Sequence, residues 1–277
     1  MSPEYLGRGD PRRTLDLLWG DGPRSTRGPK PGLTVEDIVR AAIELAGAHG
    51  IAGLSMRRVA DRLGVGTMSL YTYVPSKAEL LDLMLDTVYG EQVAAIRAAT
   101  TAGAADDPHA PLTVDWRAGL AARARADWGL YHRHPWIFQI AHGRGVLGPN
   151  ELRAFDATLR VLDELGLSGR EMVAAVDLVT MYVGGAARLA VEAGAAPAAT
   201  GMTDTEWWRA RERILAEKIG DGTAFPTVVR VSADGGFDVA PDAEDYNRAF
   251  AVDDFEFGLE RVLDGIGEFI TGRRQSA

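Results

Sequence analysis

The sequence predicts an all-α chain, with a small N-terminal head of three helices followed by a larger helical body. Three observations lead there. Leu54 to Lys77 reads LSMRRVADRLGVGTMSLYTYVPSK, two short amphipathic segments joined by a glycine turn. Apolar residues elsewhere recur at helical spacing, and no stretch shows the alternation of a strand. Ser-x-x-Glu, Pro and Gly fall where such helices should start and stop.

Residues 1–32 hold six Lys/Arg and four Asp/Glu among Pro and Gly, which predicts a flexible N-terminal extension. Within it, Thr14 to Trp19 (TLDLLW) is an apolar patch able to dock as a turn of helix. The run RSTRGPKPG, with Arg24, Arg27 and Lys30, reads equally well as an arm that touches DNA and as a solvated tail. Thr34 then N-caps a long helix, with Glu36 and Asp37 at its positive end. Ile38, Ala41, Ala42 and Leu45 are its inner stripe, and Gly50 ends it. Ser55 caps the next helix, whose inner face is Val59, Ala60 and Leu63. Gly64-Val65-Gly66 stops that helix, because glycine takes left-handed backbone angles without a Cβ clash, and Val65 plugs the corner. Thr67 is the expected N-cap of a second short helix, which runs through Tyr73. Two short helices around a tight turn, the second rich in Thr, Ser and Tyr, form a helix-turn-helix that lays a recognition helix in a major groove. Pro75 and the Ser76-x-x-Glu79 box open a helix with Leu80, Leu81, Met84, Leu85 and Val88 inward. That helix leaves the head for the body, so residues 33–90 are expected to be the DNA-binding domain and residues 91–277 the body.

In the body, Thr100 to Pro111 is a loop, and Trp116 to Tyr131 is a helix with Trp116, Leu120 and Trp128 among its apolar positions. Pro135 begins a short helix through Ile140, and Gly143 to Pro149 breaks the chain. Asn150 to Leu165 is expected to turn Leu152, Phe155, Leu159 and Leu162 to one face. Ser168 to Glu192 is the longest helix, and Ala193 to Gly201 reads as a small-residue linker. Asp204 to Ile219 carries Trp207 and Trp208. Gly220 to Val252 is irregular apart from a short helix near Thr227 to Val231, and Asp253 to Ile270 is the last helix.

The net charge of −9 first argues against DNA, but it is unevenly spread. Residues 1–80 hold 11 Lys/Arg and 9 Asp/Glu, whereas the remainder holds 19 and 30. An acidic body behind a mildly basic head orients a protein on DNA. No apolar run is read as long enough to span a bilayer, and the N-terminus lacks the apolar core of a signal peptide. A soluble cytoplasmic protein with no membrane partner is expected. Cysteine is absent, which removes disulfides, thiol nucleophiles and cysteine metal sites. There is no Gly-x-Ser-x-Gly elbow, phosphate-binding glycine loop or His-Glu-x-x-His pair, so no enzyme is expected.

The stretch LSMRRVADRLGVGTMSLYTYVPSKAELLDLM resembles the N-terminal signature of the tetracycline-repressor (TetR) family of transcriptional regulators, in a dense, ungapped match from about Thr34 to Tyr89. The resemblance places DNA contacts at Arg57, Thr67, Met68, Ser69, Tyr71, Thr72, Tyr73 and Lys77. Hydroxyls reach bases or phosphates, and Lys77 adds charge at a helix start. Met68 stands where a base-reading residue is expected and offers only apolar contact, for instance to a thymine methyl. Leu70 and Val74 should face inward.

More loosely, His134-Pro135-Trp136, Gly148-Pro149-Asn150 and Phe255 to Arg261 resemble the C-terminal domain of the tetracycline-repressor branch. That implies a small-molecule effector bound among the body helices. Candidate pocket residues are Trp128, Trp136, Phe138, His142, Phe155, Leu159, Met172 and Val176. His142 lies near where the tetracycline repressor places a magnesium-binding histidine. Its neighbours His132 and His134 are a poor metal pair at i, i+2, and no acidic partner stands out, so neither metal nor cofactor is expected. Two half-sites roughly 34–36 Å apart need two heads, and hence a homodimer on double-stranded operator DNA. The expected dimer surface is Tyr182, Gly185, Phe255, Leu259, Leu263 and Ile266, on the longest and last helices. The combined expectation is a ligand-responsive regulator, most simply a repressor. The rival is a helical small-molecule carrier or enzyme whose head does not bind DNA.

Overall fold

The structure, a computed structural model, describes residues 4–20, 32–100, 112–141, 144–220, 222–237 and 246–276. It opens with strand β1 (Glu4–Tyr5) and helix α1 (Pro11–Leu18). The Asp10 carboxylate caps α1 by accepting from the Arg13 amide at 2.9 Å. Leu6, Thr14 and Leu18 are buried. The flexible extension expected for residues 1–32 is therefore corrected over 4–20. Burying each leucine contributes about 1.5–3 kcal/mol, which offsets part of the cost of ordering the segment. Arg24, Arg27 and Lys30 lie outside the described residues.

The head follows as α2 (Val35–His49), a 3₁₀ turn (Ile51–Gly53), α3 (Met56–Leu63) and α4 (Thr67–Tyr73). Thr34 and Asp37 form a reciprocal capping box, in which the Thr34 hydroxyl accepts from the Asp37 amide at 3.1 Å and the Asp37 carboxylate accepts from the Thr34 amide at 3.3 Å. Helix α5 (Lys77–Thr100) starts beside Ser76, whose hydroxyl accepts from the Ala78 amide at 3.0 Å and donates to the Glu79 carboxylate. Its first turns are buried almost all round, because it enters the head core and leaves into the body.

The body comprises α6 (Trp116–Arg133), a 3₁₀ turn (Pro135–Gln139), strand β2 (Ile140–Ala141), α7 (Pro149–Arg160), α8 (Gly169–Thr200), α9 (Asp204–Ile219), α10 (Pro226–Ala233) and α11 (Tyr246–Ser276). Strands β1 and β2 pair in parallel, Glu4 opposite Ile140 and Tyr5 opposite Ala141. No strand was expected, since two residues leave no periodicity to read.

Three body elements differ from their sequence reading. Helix α7 turns Ala154, Ala157 and Thr158 inward, while Leu152 is 41% exposed. The alanines pack on Val93 and Ile96, and small side chains let α7 approach α5 closely. Helix α8 continues through the expected linker to Thr200, because alanine is the strongest helix former and Pro197, in the last turn, removes only one backbone bond. Helix α8 is 32 residues long and includes an 18-residue stretch of mean hydropathy 1.4, long and apolar enough to cross a membrane by length and composition, which corrects the reading that no such run exists. The sequence predicts the end of this helix at Glu192. Helix α11 likewise extends seven residues before Asp253.

Two cores result. The first joins Ile38, Leu45, Val59, Leu70, Leu80 and Met84 of the head to Leu130, Trp136, Ile137 and Ile140 of the body. The second packs Leu120, Val176, Val179, Val183, Phe255, Leu259 and Leu263 between α6, α8 and α11. Head and body thus share buried surface through α5 and the 135–141 segment. Gly148, the N-cap of α7, has no side chain to satisfy the helix amides. Asp86 of α5 does so instead, accepting from the Asn150 and Glu151 amides at 3.0 Å each. A Cβ at residue 148 would lie 2.2 Å from the Asp86 Oδ1 atom, so only glycine admits this cap.

Candidate DNA-binding face and effector-binding body

The helix-turn-helix is built by local chemistry. The Ser55 hydroxyl accepts from the Arg58 amide at 3.3 Å and starts α3. Gly64, at φ 68° and ψ 29°, reverses the chain, and the Val65 amide donates to the Ala60 carbonyl at 3.1 Å. Val65 packs half-buried against the head core, at the corner as expected. The N-cap of α4 is Gly66 rather than Thr67, which is the first helical residue. The Ser69 amide donates to the Gly66 carbonyl at 2.9 Å, so the backbone closes the turn without a side-chain cap.

On α4, Leu70 and Val74 are fully buried. That fixes the outward face: Met68 is 78% exposed, Tyr71 41%, and Ser69 and Thr72 are exposed beside them. Thr67 is half-buried at the helix start. Tyr73 is also half-buried and packs on the head core, so part of its ring serves stability. Among the α3 arginines, Arg58 donates to the Gly53 carbonyl at 2.8 Å and Arg62 pairs with Glu44. Arg57 keeps only a loose 4.0 Å pair with Asp61, its side chain 85% exposed. Lys77 is half-buried and donates to the Ile51 carbonyl at 3.4 Å. The outward set is therefore one guanidinium, three hydroxyl residues and one thioether, on two helices of the head.

The pocket candidates separate in the structure. Trp136 is 1% exposed and belongs to the core shared with the head, with its indole N–H buried and unpaired among the described residues. Phe138 is half-buried against Tyr131, with the Arg188 guanidinium 5.0 Å over its ring. Trp128, Phe155, Leu159 and Met172 are half-buried around the second core, and Val176 is buried in it. Trp128 stacks on Phe255 at 4.2 Å. His142 lies outside the described residues. Three open clefts of about 720, 560 and 530 Å³ are lined by other residues, the first by Trp19, Val93, Arg97, Leu152 and Arg153.

Sequence reasoning missed a buried polar cluster between α5, α6 and α7. Arg123 grips Asp127 through two 2.8 Å bonds and donates to Thr158 at 3.1 Å, while Gln92 donates to Asp127. Burial pushes the Asp127 carboxyl above its ordinary range, against the pull of Arg123. Burial also raises the Tyr89 and Tyr131 hydroxyls beside this pair. An ion pair taken from water needs such full hydrogen bonding. The spacing of Arg123 and Asp127, one helical turn apart, was visible, but their inward direction was not.

The dimer residues require a correction. Phe255, Leu259, Leu263 and Ile266 are 5% exposed or less and close the chain's own core against α6 and α8. Tyr182 also faces inward, donating to the Asp254 and Phe255 carbonyls at 2.9 and 2.8 Å. The strong apolar face of the last helix is consumed within one chain. Of the six, only Gly185 is exposed, with open space around it. The free apolar surface is elsewhere on the same helices: Leu178, Met181 and Leu189 on α8, and Phe257 and Phe269 on α11.

Residues 38–84 match the family described as bacterial regulatory proteins, tetR family, and residues 108–270 match the tetracyclin repressor-like C-terminal domain. The chain is 41% identical over 273 residues to the HTH-type transcriptional repressor DrrR1 of Streptomyces coeruleorubidus, covering 99% of this chain and 92% of that protein. Its fold is similar to apo ActR from Streptomyces coelicolor, with a TM-score of 0.61 and 24% identity over 90% of this chain and 100% of that one. It is also similar to ActR in complex with actinorhodin, with a TM-score of 0.59 and 24% identity over 85% and 96% of the two chains. With both halves of the architecture matched and a helix-turn-helix at its head, the chain belongs to the TetR family of transcriptional regulators.

Proposed function

We propose that this chain is a dimeric cytoplasmic repressor that holds its operator until a small molecule bound in the body shifts the heads out of register. The observation that carries the reading is the α4 surface. Leu70 and Val74 anchor the helix, while Met68, Ser69, Tyr71 and Thr72 are exposed on its outer side. Thr67, Met68 and Ser69 are the base readers in this reading, with Arg57, Tyr71, Thr72, Tyr73 and Lys77 on phosphates. DrrR1 is a repressor by name, which supports repression over activation. Residues 33–90 act as the reading head and residues 91–277 as the body.

The effector sits among α6, α7 and α8, where Trp128, Phe138, Phe155, Leu159 and Met172 are half-buried rather than sealed. ActR, with the same fold, has been seen with actinorhodin bound, which supports a body able to open for a ligand. The second copy covers Leu178, Met181 and Leu189 of α8 with Phe257 and Phe269 of α11, giving the apolar length of α8 a protein partner.

The test is fluorescence anisotropy of the full chain with duplexes from the DNA flanking its own gene and with an unrelated duplex. Specific binding at least about a thousand-fold tighter than non-specific binding is expected for a sequence reader. Equal affinity for every duplex would remove the regulator reading and favour a carrier.

A further inference from the structure

Residues 4–20 lie outside both family matches, yet they bridge the joint between head and body. The segment is tied at three points. Its strand β1 pairs with β2 at residues 140–141 of the body. The Gly7 amide donates to Asp82 Oδ1 of α5 at 3.2 Å, with Leu6 and Leu18 buried in the core shared by head and body. The Trp19 indole donates at 3.2 Å to the carbonyl of Leu147, a residue held at φ 58°. The Leu147 amide is itself bound to Glu151 of α7 at 2.6 Å. The 135–141 segment beneath is a hub. Gln139 accepts from the Ile51 amide of the head at 2.9 Å, and Arg188 of α8 donates to the Phe138 carbonyl at 3.3 Å.

Any rotation of the head must move α5 against residues 135–147. Every such movement shears one of the three ties, so the segment resists it. We propose that residues 4–20 are a strap that positions the reading head on the body, and that operator selectivity depends on it. The strap acts through the placement of the head. It narrows the range of head placements, and a chain whose competent placement is less populated binds its operator more weakly by that fraction. Non-specific binding needs no fixed spacing between two heads, so it does not depend on the strap. The proposal rests on the operator-binding reading above.

The experiment compares the full chain with a variant lacking residues 1–20, which keeps Arg24, Arg27 and Lys30, and with Trp19→Phe. Affinity is measured for DNA flanking the gene and for an unrelated duplex, and amide exchange is followed in α5 and residues 144–147. The expected result for the deletion is about a ten-fold fall in the specific-to-non-specific ratio, unchanged non-specific affinity and faster exchange at the joint. Trp19→Phe, which keeps a ring but loses the donor to Leu147, should give a smaller fall in the same ratio. This second variant decides the matter if the deletion unfolds the head. An unchanged ratio with unchanged exchange at the joint overturns the strap. Should the full chain itself fail to distinguish the two duplexes, the operator reading falls, and exchange at the joint alone then supports or overturns the strap.

Discussion

Asp82→Asn tests the energetics of the head–body joint. Asp82 is 1% exposed on α5, its Oδ1 atom accepts from the Gly7 amide, and its Oδ2 atom is buried without a partner among the described residues. Burial, reinforced by the charges of Glu79 and Glu151 and opposed by the Gly7 amide, pushes its pKa from 3.8 up to about 6. A carboxyl whose folded pKa lies above its unfolded one stabilises the fold while protonated. That contribution is complete below the unfolded value and is lost as the pH rises through the folded one. The shift corresponds to about 3 kcal/mol, of which roughly 2.5 falls between pH 4 and pH 7. Asparagine cannot ionise, so the pH-dependent part vanishes in the variant. Its amide leaves a new unpaired donor, but that cost is the same at every pH and cancels when two pH values are compared. Urea unfolding of both proteins at fixed concentration, from pH 4 to pH 8, reads the quantity directly. The stability of Asp82→Asn relative to the parent should rise by about 2–3 kcal/mol across that range, or roughly 5 °C in Tm for a chain of this size unfolding as one unit. A difference that stays constant with pH would refute the claim that Asp82 is ionised and buried at neutral pH.

Three further outcomes follow from the head, the dimer surface and the body core. Arg57→Ala and Lys77→Ala should each lower the salt slope of operator binding by about one unit and weaken all sequences alike; an unchanged slope in salt titrations would move that residue off the phosphate backbone. Met181→Glu combined with Leu189→Glu should give a folded monomer by light scattering and circular dichroism that has lost operator binding. Leu263→Glu should instead destabilise the chain itself by several kcal/mol, because it places an unpaired charge in a sealed core. A double variant that remains dimeric would show that the outer face of α8 is not the contact.

Much of the head was legible in the chain. Thr34, Ser55, Gly64 and the helical spacing of Val59, Ala60, Leu70 and Val74 act within a few residues of themselves, so caps, turn and inward faces could be read without neighbours. Which outward residues meet DNA was a matter of resemblance, and exposure alone does not assign those contacts. Tertiary structure decided what depends on distant partners. Residues 4–20 become ordered because α5 and residues 140–147 receive them, 75 to 136 positions away in sequence. A hydrophobic face shows that something will cover it, but not what. The last helix spends Leu259 and Leu263 on its own chain, and the free surface falls on Met181 and Leu189. The same limit turned Trp136 from a pocket candidate into core and hid the Arg123–Asp127 pair. Local sequence sets helix, cap and turn through interactions over three or four residues, whereas partner and exposure are set by the packing of whole helices against one another.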